Sequence, residues 1–259
     1  ENVFDKDKGN VNPMTAPRMA ADPHNVNAMC VTVNENVHIL DWRVDTSLPS
    51  GTVSQMKGCH RYGVTDVDYN PNKPYVLATS GQDALIKFWD IRYHSVGSSG
   101  GNSRRRPQPL LVGRGGHSHW VSNIKYNPFH DQLVVSTGTD SIVNLWRVSS
   151  ISSAPLLQLD DENDDLGGSA GDIMFPSSGD GGGGGGGGDI TTDTHKEGSG
   201  GGIGGSNAAN IRVSRYEHQD SIYDMAWGAA DAWIYVTVAF DGKVVLNHVP
   251  SNEKYKILL

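Results

Sequence analysis

The chain has 259 residues, a formal net charge of −8 at pH 7 and two cysteines. Cys30 and Cys59 are too few for a disulfide framework, and no apolar run approaches the ~18 residues of a membrane-spanning helix. These features argue against a disulfide-stapled secreted domain and against a helical membrane protein. We therefore expect a reduced, cytoplasmic setting for the chain.

Most of the negative charge lies in one segment, residues 155–210, which holds ten acidic residues, one lysine and 18 of the 32 glycines. Such a composition cannot bury enough apolar area to offset the entropy that is lost on ordering. We therefore predict a disordered, low-complexity insertion at residues 156–209 and a smaller one at residues 96–108. The smaller insertion carries three arginines, Arg104 to Arg106, which indicate a solvated loop rather than a nucleic-acid site.

Outside these insertions, short runs of β-branched and aromatic residues alternate with Gly, Pro, Asn and Asp, which predicts strands joined by turns. One copy of this order runs from Val64 to Trp89, and two later copies run from Val121 to Trp146 and from Ile222 to Leu246. No stretch has a sustained helical period. The sequence therefore predicts an all-β chain.

The copies share four landmark residues at fixed offsets. A histidine is followed by a hydroxyl residue after 19 residues, an aspartate after 23 and a tryptophan after 29. The sets are His60, Thr79, Asp83 and Trp89, then His117, Ser136, Asp140 and Trp146, then His218, Thr237 and Asp241, where Asn247 replaces the tryptophan. An N-terminal segment keeps the later intervals only, with Thr32, Asn36 and Trp42, and with Pro13 at the histidine position.

A repeat of this length with these landmarks is typical of WD40 repeats, each of which forms one four-stranded blade of a β-propeller. We predict blades near residues 14–56, 60–113, 117–216 and 218–259. Because such propellers have roughly 4–8 blades, we interpret the chain as about four C-terminal blades of a larger WD40 β-propeller. Both predicted insertions then fall between the third and fourth strands of a blade.

The repeated His, Ser/Thr and Asp set resembles a catalytic triad, but we interpret it as structural. A catalytic site occurs once, whereas this set recurs from blade to blade, as a structural device must. Its imidazole, hydroxyl, carboxylate and indole groups can satisfy one another when they are buried. We expect Asn247 to weaken the network of the last blade. We predict no catalytic, cofactor-binding or metal site and no small-molecule substrate.

One motif suggests a different function. Ile86, Trp89, Asp90 and Arg92 match the WDxR box of substrate receptors for cullin-4 ubiquitin ligases, in which the arginine helps to dock the adaptor. The Trp-Asp pair belongs to the repeat itself, so only Arg92 adds information. A ligase substrate receptor is therefore the alternative function.

Several stretches that the general repeat pattern does not dictate resemble one family, the WD-repeat proteins that interact with the EARP and GARP tethering complexes. The resemblance runs from about Ala20 to the C-terminus, apart from the two insertions. The stretches that carry it include Asp68–Lys73, Lys87–Asp90, His117–Val121, His130–Leu133, Asp220–Tyr223, Ala230–Trp233, Asp241–Lys243 and Lys254–Leu259.

This resemblance implies a non-enzymatic adaptor in endosomal recycling and endosome-to-Golgi retrograde transport. Its implied partner is a multisubunit tethering complex of the EARP or GARP kind, without a cofactor, a nucleic acid or a small-molecule substrate. Its implied location is cytoplasmic and peripheral, at the trans-Golgi network and recycling endosomes, with indirect membrane association.

The family-like residues that the fold does not require lie mainly in the last blade and the tail. The candidate partner-binding residues are Arg92, Trp233, Lys254, Tyr255 and Lys256. The competing interpretation of the tail is that Tyr255 and Ile257 complete a strand.

Overall fold

The computed structural model describes residues 16–43, 52–94, 108–154, 175–176 and 210–258. These residues form sixteen strands in four antiparallel sheets, one short α-helix, α1, and two 3₁₀ turns at Ile91–His94 and Ser149–Ile151. The sheets succeed one another along the chain, and the strands of each sheet pair mainly with their neighbours in sequence. The predicted all-β class and the propeller architecture are therefore confirmed.

The first two sheets, here called the first and second blades, have four main strands each. The first blade contains β1 (Met19–Ala21), β2 (Ala28–Val33), β3 (Asn36–Asp41) and β4 (Thr52–Met56). The second blade contains β5 (Val64–Tyr69), β6 (Val76–Gly81), β7 (Ile86–Asp90) and β8 (Leu111–Gly113).

The third and fourth blades follow in the same order. The third blade contains β9 (Val121–Tyr126), β10 (Leu133–Gly138), β11 (Ile142–Val148) and β13 (Asn210–Glu217). The fourth blade contains β14 (Ile222–Trp227), β15 (Ile234–Ala239) and β16 (Val244–His248), and it is followed by α1 (Ser251–Leu258). Within the described ranges, no helix is long and apolar enough to cross a membrane.

The two predicted insertions connect β7 to β8 and β11 to β13. Most of both segments, residues 95–107, 155–174 and 177–209, lies outside the described residues, as does Pro13. The predicted disorder of these segments therefore stays a prediction. Phe175–Pro176 form β12, which pairs with β8 at the edge of the second blade. At these two residues the larger insertion is an added edge strand rather than a low-complexity loop.

Apolar side chains fill the spaces between neighbouring blades. Three positions of a blade, one on its second strand and two on its third, point towards the following blade, and we call them the forward triplet. The second-strand member pairs across the sheet with the last member, as in Ala78 with Phe88. The buried forward triplets are Cys30, Val37 and Ile39, then Ala78, Ile86 and Phe88, then Val135, Val143 and Leu145.

Polar contacts also cross the space between the second and third blades. Asp66 on β5 accepts a hydrogen bond from the Ile124 N–H at 3.1 Å, and its carboxylate lies 3.0 Å from Lys125 Nζ. The half-buried Asp68 accepts from the Tyr126 N–H at 2.8 Å. Burial raises the pKa of Asp68 to about 6, although Lys125 acts in the opposite direction. First-strand carboxylates therefore bind the backbone of the following blade.

Candidate interaction site

The four landmark side chains of the second blade lie together between its strands. His60 Nδ1 lies 2.7 Å from Asp83 Oδ1, and His60 Nε2 lies 2.8 Å from Thr79 Oγ1. Trp89 Nε1 donates to the same hydroxyl at 2.8 Å. Because Thr79 accepts from the indole, its own proton is available for His60 Nε2, which places the imidazole proton on Nδ1 facing the aspartate.

The third blade has the same arrangement at the equivalent positions. His117 Nδ1 lies 3.1 Å from Asp140 Oδ1, and His117 Nε2 lies 2.8 Å from Ser136 Oγ. Trp146 Nε1 donates to Ser136 Oγ at 2.8 Å. The hydroxyls of both blades are fully buried. The structure thus brings together each predicted set of four, with hydroxyls that are enclosed rather than open to a substrate.

The buried networks shift the pKa values of His60, Asp83 and Asp140. Burial lowers the pKa of His60, and its hydrogen bond with Asp83 only partly opposes this. Burial disfavours ionised Asp83, but its bond with His60 and the charge of Lys87 outweigh that effect and lower its pKa. The pKa of Asp140 is also lowered, because the bond with His117 outweighs burial. In the second blade, a neutral His60 imidazole beside an ionised Asp83 carboxylate results.

A glycine two residues before each aspartate makes room for the histidine. A Cβ at Gly81 would collide with the His60 ring, and one at Gly138 would collide with His117 and Asp140. The Gly-x-Asp pattern is visible in the sequence of both blades, but by itself it indicates a turn and not this steric requirement. The glycine is therefore a fifth member of the network.

The fourth blade keeps part of the network and replaces another part. His218 Nε2 lies 3.0 Å from Thr237 Oγ1, and Asn247 Nδ2 donates to the same hydroxyl at 3.2 Å. Asn247 therefore supplies the hydrogen bond of the missing indole but not its apolar surface. Asp241 instead pairs with Lys243, whose Nζ lies 3.1 Å away. Ala239 occupies the position of the spacing glycine, so this blade has a methyl group where the second and third blades have none.

The landmark prediction for the first blade is wrong at Trp42. This side chain lies beyond the end of β3 and is exposed, whereas Trp89 lies within β7 and is buried. The equivalent third-strand position is Leu40, which pairs with Met29 as Trp89 pairs with Leu77. The first blade therefore has an apolar side chain at its tryptophan position.

The predicted hydroxyl position of the first blade is wrong as well. Strand pairing places Val31 there rather than Thr32, whose hydroxyl accepts a hydrogen bond from the Arg18 N–H at 2.8 Å. The spacing rule failed because Asn34 and Glu35 form a two-residue turn, which is shorter than the turns of the other blades. Equal intervals in sequence consequently reach different positions in the blade.

Arg92 forms an ion pair inside its own blade. Its Nε donates to Asp90 Oδ1 at 2.9 Å, its Nη2 lies 2.5 Å from Asp90 Oδ2, and its guanidinium lies 5.8 Å from the Tyr75 ring centroid. Arg43 pairs with Asp41 in the same way at the end of β3. This repeated Asp-x-Arg pair accounts for Arg92 within the fold, and the ligase-receptor alternative gains no support from it.

The C-terminal helix α1 is fastened to the third blade. Arg147 on β11 donates from Nη1 to Glu253 Oε2 at 2.7 Å, and both side chains are buried. Ile257 packs against the apolar cluster between the third and fourth blades. The first turn forms as the Lys254 N–H donates to the Pro250 carbonyl at 3.2 Å. The interpretation of Ile257 as part of a strand is therefore wrong.

The candidate partner-binding residues of the last blade lie around this helix. Trp233 stacks on His130 with ring centroids 4.7 Å apart, and Lys254 Nζ lies 5.7 Å from the Trp233 ring centroid. Tyr255 and Leu258 are 65% and 63% exposed. Lys256 lies 3.6 Å from the buried carboxylate that anchors the helix. This surface therefore combines two lysines and an aromatic ring held by contacts with two exposed side chains, Tyr255 and Leu258. The remaining candidate, Arg92, lies on another blade.

No group of three or more His, Cys, Asp or Glu side chains in the described part of the chain is arranged to hold a metal ion.

A family model and several relatives of this chain carry related descriptions. A family model described as EIPR1 beta-propeller matches residues 7–146. The EARP-interacting protein homolog of Gekko japonicus is 33% identical over 237 residues, which is 92% of this chain and 50% of the relative. The EARP and GARP complex-interacting protein 1 of Homo sapiens is 34% identical over 204 residues, which is 79% of this chain and 43% of the relative.

A more distant relative carries a similar name. The EARP-interacting protein 1 of Caenorhabditis elegans is 25% identical over 235 residues, which is 91% of this chain and 51% of the relative. The chain spans about half the length of the curated relatives it matches.

Proposed function

Because the chain belongs to the EIPR1 beta-propeller family, we propose that it is a non-enzymatic adaptor that binds the EARP and GARP tethering complexes. The observation that carries this proposal is the naming of gecko, human and nematode relatives for that interaction. The enclosed tetrads are compatible with it, because their polar groups hold strands together and leave the loops and rim for partners.

The proposal includes a cellular role. The adaptor acts in endosomal recycling and endosome-to-Golgi retrograde transport, at the cytoplasmic side of the trans-Golgi network and recycling endosomes. Its contact with the membrane is indirect, through the tethering complex.

Within this proposal, α1 and the neighbouring Trp233 contribute to the tether-binding surface. Tyr255 and Leu258 are exposed, and aromatic and aliphatic anchors of this kind carry much of the energy of protein interfaces. The Arg147–Glu253 pair holds the helix in place before a partner arrives. Such preorganisation reduces the entropy that is lost on binding.

The test is capture of purified human GARP complex by the immobilised chain. We expect the wild type to retain the complex. The double variant Tyr255→Ala/Leu258→Ala should capture at least about tenfold less of it, because both anchors are removed. These substitutions leave Glu253 and Ile257 in place, so the helix keeps its attachment.

A matched control is Val26→Ala/Tyr62→Ala. It truncates two exposed side chains, one between β1 and β2 and one between β4 and β5. This control should bind like the wild type. Absence of capture by the wild type would overturn the proposed function. Capture that is equal for the two double variants would leave the function standing and remove α1 from the binding surface.

A further inference from the structure

A cavity of about 750 Å³ lies between the first and second blades, on the face that carries the landmark histidines. Its wall is formed by the turn between β2 and β3, the segment from Lys57 to Arg61 that joins the two blades, and the turn after β6 that carries Asp83. Sites for small ligands are usually clefts of roughly 300–1,000 Å³. The cavity is therefore large enough to hold a side chain of a bound peptide together with part of its backbone.

Backbone hydrogen bonds fasten this wall to both blades. The Cys59 N–H donates to the carbonyl of Glu35 in the first blade at 2.8 Å. The Arg61 N–H donates to the carboxylate of Asp83 in the second blade at 3.2 Å. The cavity therefore has its shape before a ligand arrives, which reduces the entropy that is lost on binding.

Two exposed cations line the cavity. Lys57 and Arg61 both face solvent, and within the part of the chain that the structure describes neither forms an ion pair with a carboxylate. The Arg61 guanidinium lies 5.2 Å from the centroid of the Tyr62 ring, a cation–π contact that restricts its motion. Both positive charges are therefore available to an anionic ligand.

A third cation lies deeper in the wall. Lys87 Nζ donates to the Cys59 carbonyl at 2.7 Å and to Asp83 Oδ2 at 3.3 Å, which leaves one of its three N–H donors. Asp83 also accepts from His60 and from two backbone N–H groups, so its charge is satisfied within the wall. Glu35 is the exposed carboxylate among the lining residues, and it opposes the two exposed cations.

The repeat itself does not require this group of cations. Lys57, Arg61 and Lys87 lie 3 residues before, 1 residue after and 27 residues after His60. The equivalent positions around the next two landmark histidines hold Arg114, Ser118 and Asn144, then Arg215, Gln219 and Val245. Those blades form with a single cation of the three, so the full set at the second blade is available for a function other than folding.

We propose that this cavity binds the phosphate group of a phosphorylated residue in a partner protein, through Lys57, Arg61 and the remaining donor of Lys87. A phosphorylated side chain carries about −1.5 to −2 charges at pH 7 and three acceptor oxygens, which match three cations better than a single carboxylate does. The planar guanidinium of Arg61 can bind two of these oxygens at once. The site lies apart from α1 and goes beyond the proposed binding of tethering complexes.

The test is capture by the immobilised chain from a pool of short peptides with random flanks and a central phosphoserine, beside equal pools with serine or glutamate at that place. We expect the phosphoserine pool to be enriched at least about tenfold over the other two. Lys57→Gln/Arg61→Gln should remove this enrichment, and it keeps the backbone bond of residue 61 to Asp83. The matched control Arg114→Gln/Arg215→Gln removes the same charge from two exposed side chains elsewhere and should bind like the wild type.

A variant with the opposite expected sign sharpens the test. Glu35→Gln removes the exposed carboxylate of the wall, so it should raise phosphopeptide capture by about threefold, whereas Glu217→Gln, at an exposed position on β13, should not. The proposal is overturned if the wild type captures the serine or glutamate pool as well as the phosphoserine pool, or if the two double variants lose capture equally. It is also overturned if Glu35→Gln lowers capture, or if Lys57 and Arg61 instead mediate binding to vesicles of phosphatidylcholine and phosphatidylserine.

Discussion

The third and fourth blades start from the same three landmark residues and use them differently. In the third blade, His117 engages Ser136 and Asp140, and Trp146 closes the network over the hydroxyl. In the fourth blade, the aspartate turns away to Lys243. The landmark aspartate therefore contacts the histidine in the blade that has a glycine two residues before it, and not in the blade that has an alanine there.

Two substitutions separate these blades. Ala239 stands where Gly138 provides space in the third blade, and Asn247 stands where Trp146 provides both a donor and a large apolar surface. The fourth blade instead gains its attachment from outside, through α1 and the buried Arg147–Glu253 pair. The third blade is therefore stabilised by its own polar network, and the fourth blade is stabilised by the attachment of α1 to the third.

The largest effect is expected from breaking the internal network. Trp146→Ala should lower the free energy of unfolding by about 4 kcal/mol, because it removes a buried indole and leaves a cavity. The measurement is chemical denaturation followed by circular dichroism. A loss below that of the fourth-blade variant Asn247→Ala would contradict the contrast between the blades.

The external attachment of the fourth blade should be nearly as costly to break. Glu253→Ala should lower the free energy of unfolding by about 3 kcal/mol, because it removes the carboxylate from a buried ion pair with Arg147. Lys256→Ala is the control, since its pair with Glu253 is longer and more exposed, and it should cost under about 1 kcal/mol. Equal midpoints for the two variants would show that α1 is not anchored by the buried pair.

A smaller and pH-dependent effect is expected at the seam between the second and third blades. The pKa of folded Asp68, about 6, lies above that of an unfolded aspartate, roughly 3.9. The folded state therefore favours the protonated carboxyl of Asp68. Its contribution to the free energy of unfolding is present below pH ~4 and is lost as the pH rises through ~6. Asp68→Asn keeps an acceptor for the Tyr126 N–H without the charge. It should raise the free energy of unfolding by about 1–2 kcal/mol at pH 8 and leave it unchanged at pH 4.

Denaturation at the two pH values checks this prediction. Asp66→Asn is the matched control, and it should destabilise because it weakens the ion pair with Lys125. A gain at pH 4 as large as that at pH 8 would show that the charge of Asp68 is not the cause.

The smallest effect is expected in the network of the fourth blade. Asn247→Ala should lower the free energy of unfolding by about 1 kcal/mol, the usual net contribution of one hydrogen bond, because His218 still engages Thr237. The same denaturation experiment measures it. A loss comparable with that of Trp146→Ala would mean that the fourth blade depends on its polar network as strongly as the third.

The sequence was sufficient to predict the repeats because strand pairing within a blade is local. The offsets from His60 to Thr79, Asp83 and Trp89 are fixed by one hairpin and one turn, so they survive as a numerical pattern. The same reasoning misplaced Trp42, because a turn of different length changes the position that a given offset reaches.

Other features depend on contacts that no local pattern contains. Helix α1 has eight residues, too few for a helical period to stand out, and its anchor Arg147 lies 106 residues before Glu253. The role of Asn247 as a donor follows from its amide chemistry once the neighbouring Thr237 is known.

The distance in sequence between Arg147 and Glu253 has a consequence for synthesis. A chain leaves the ribosome from its N-terminus, and its parts begin to fold in that order. The strands of the third blade before residue 148 are made long before residue 253, so their inward-pointing guanidinium stays without this carboxylate until the helix emerges. Completion of the third blade is thereby coupled to translation of the tail, and a product that stops before Glu253 would lack the buried pair that fastens the helix.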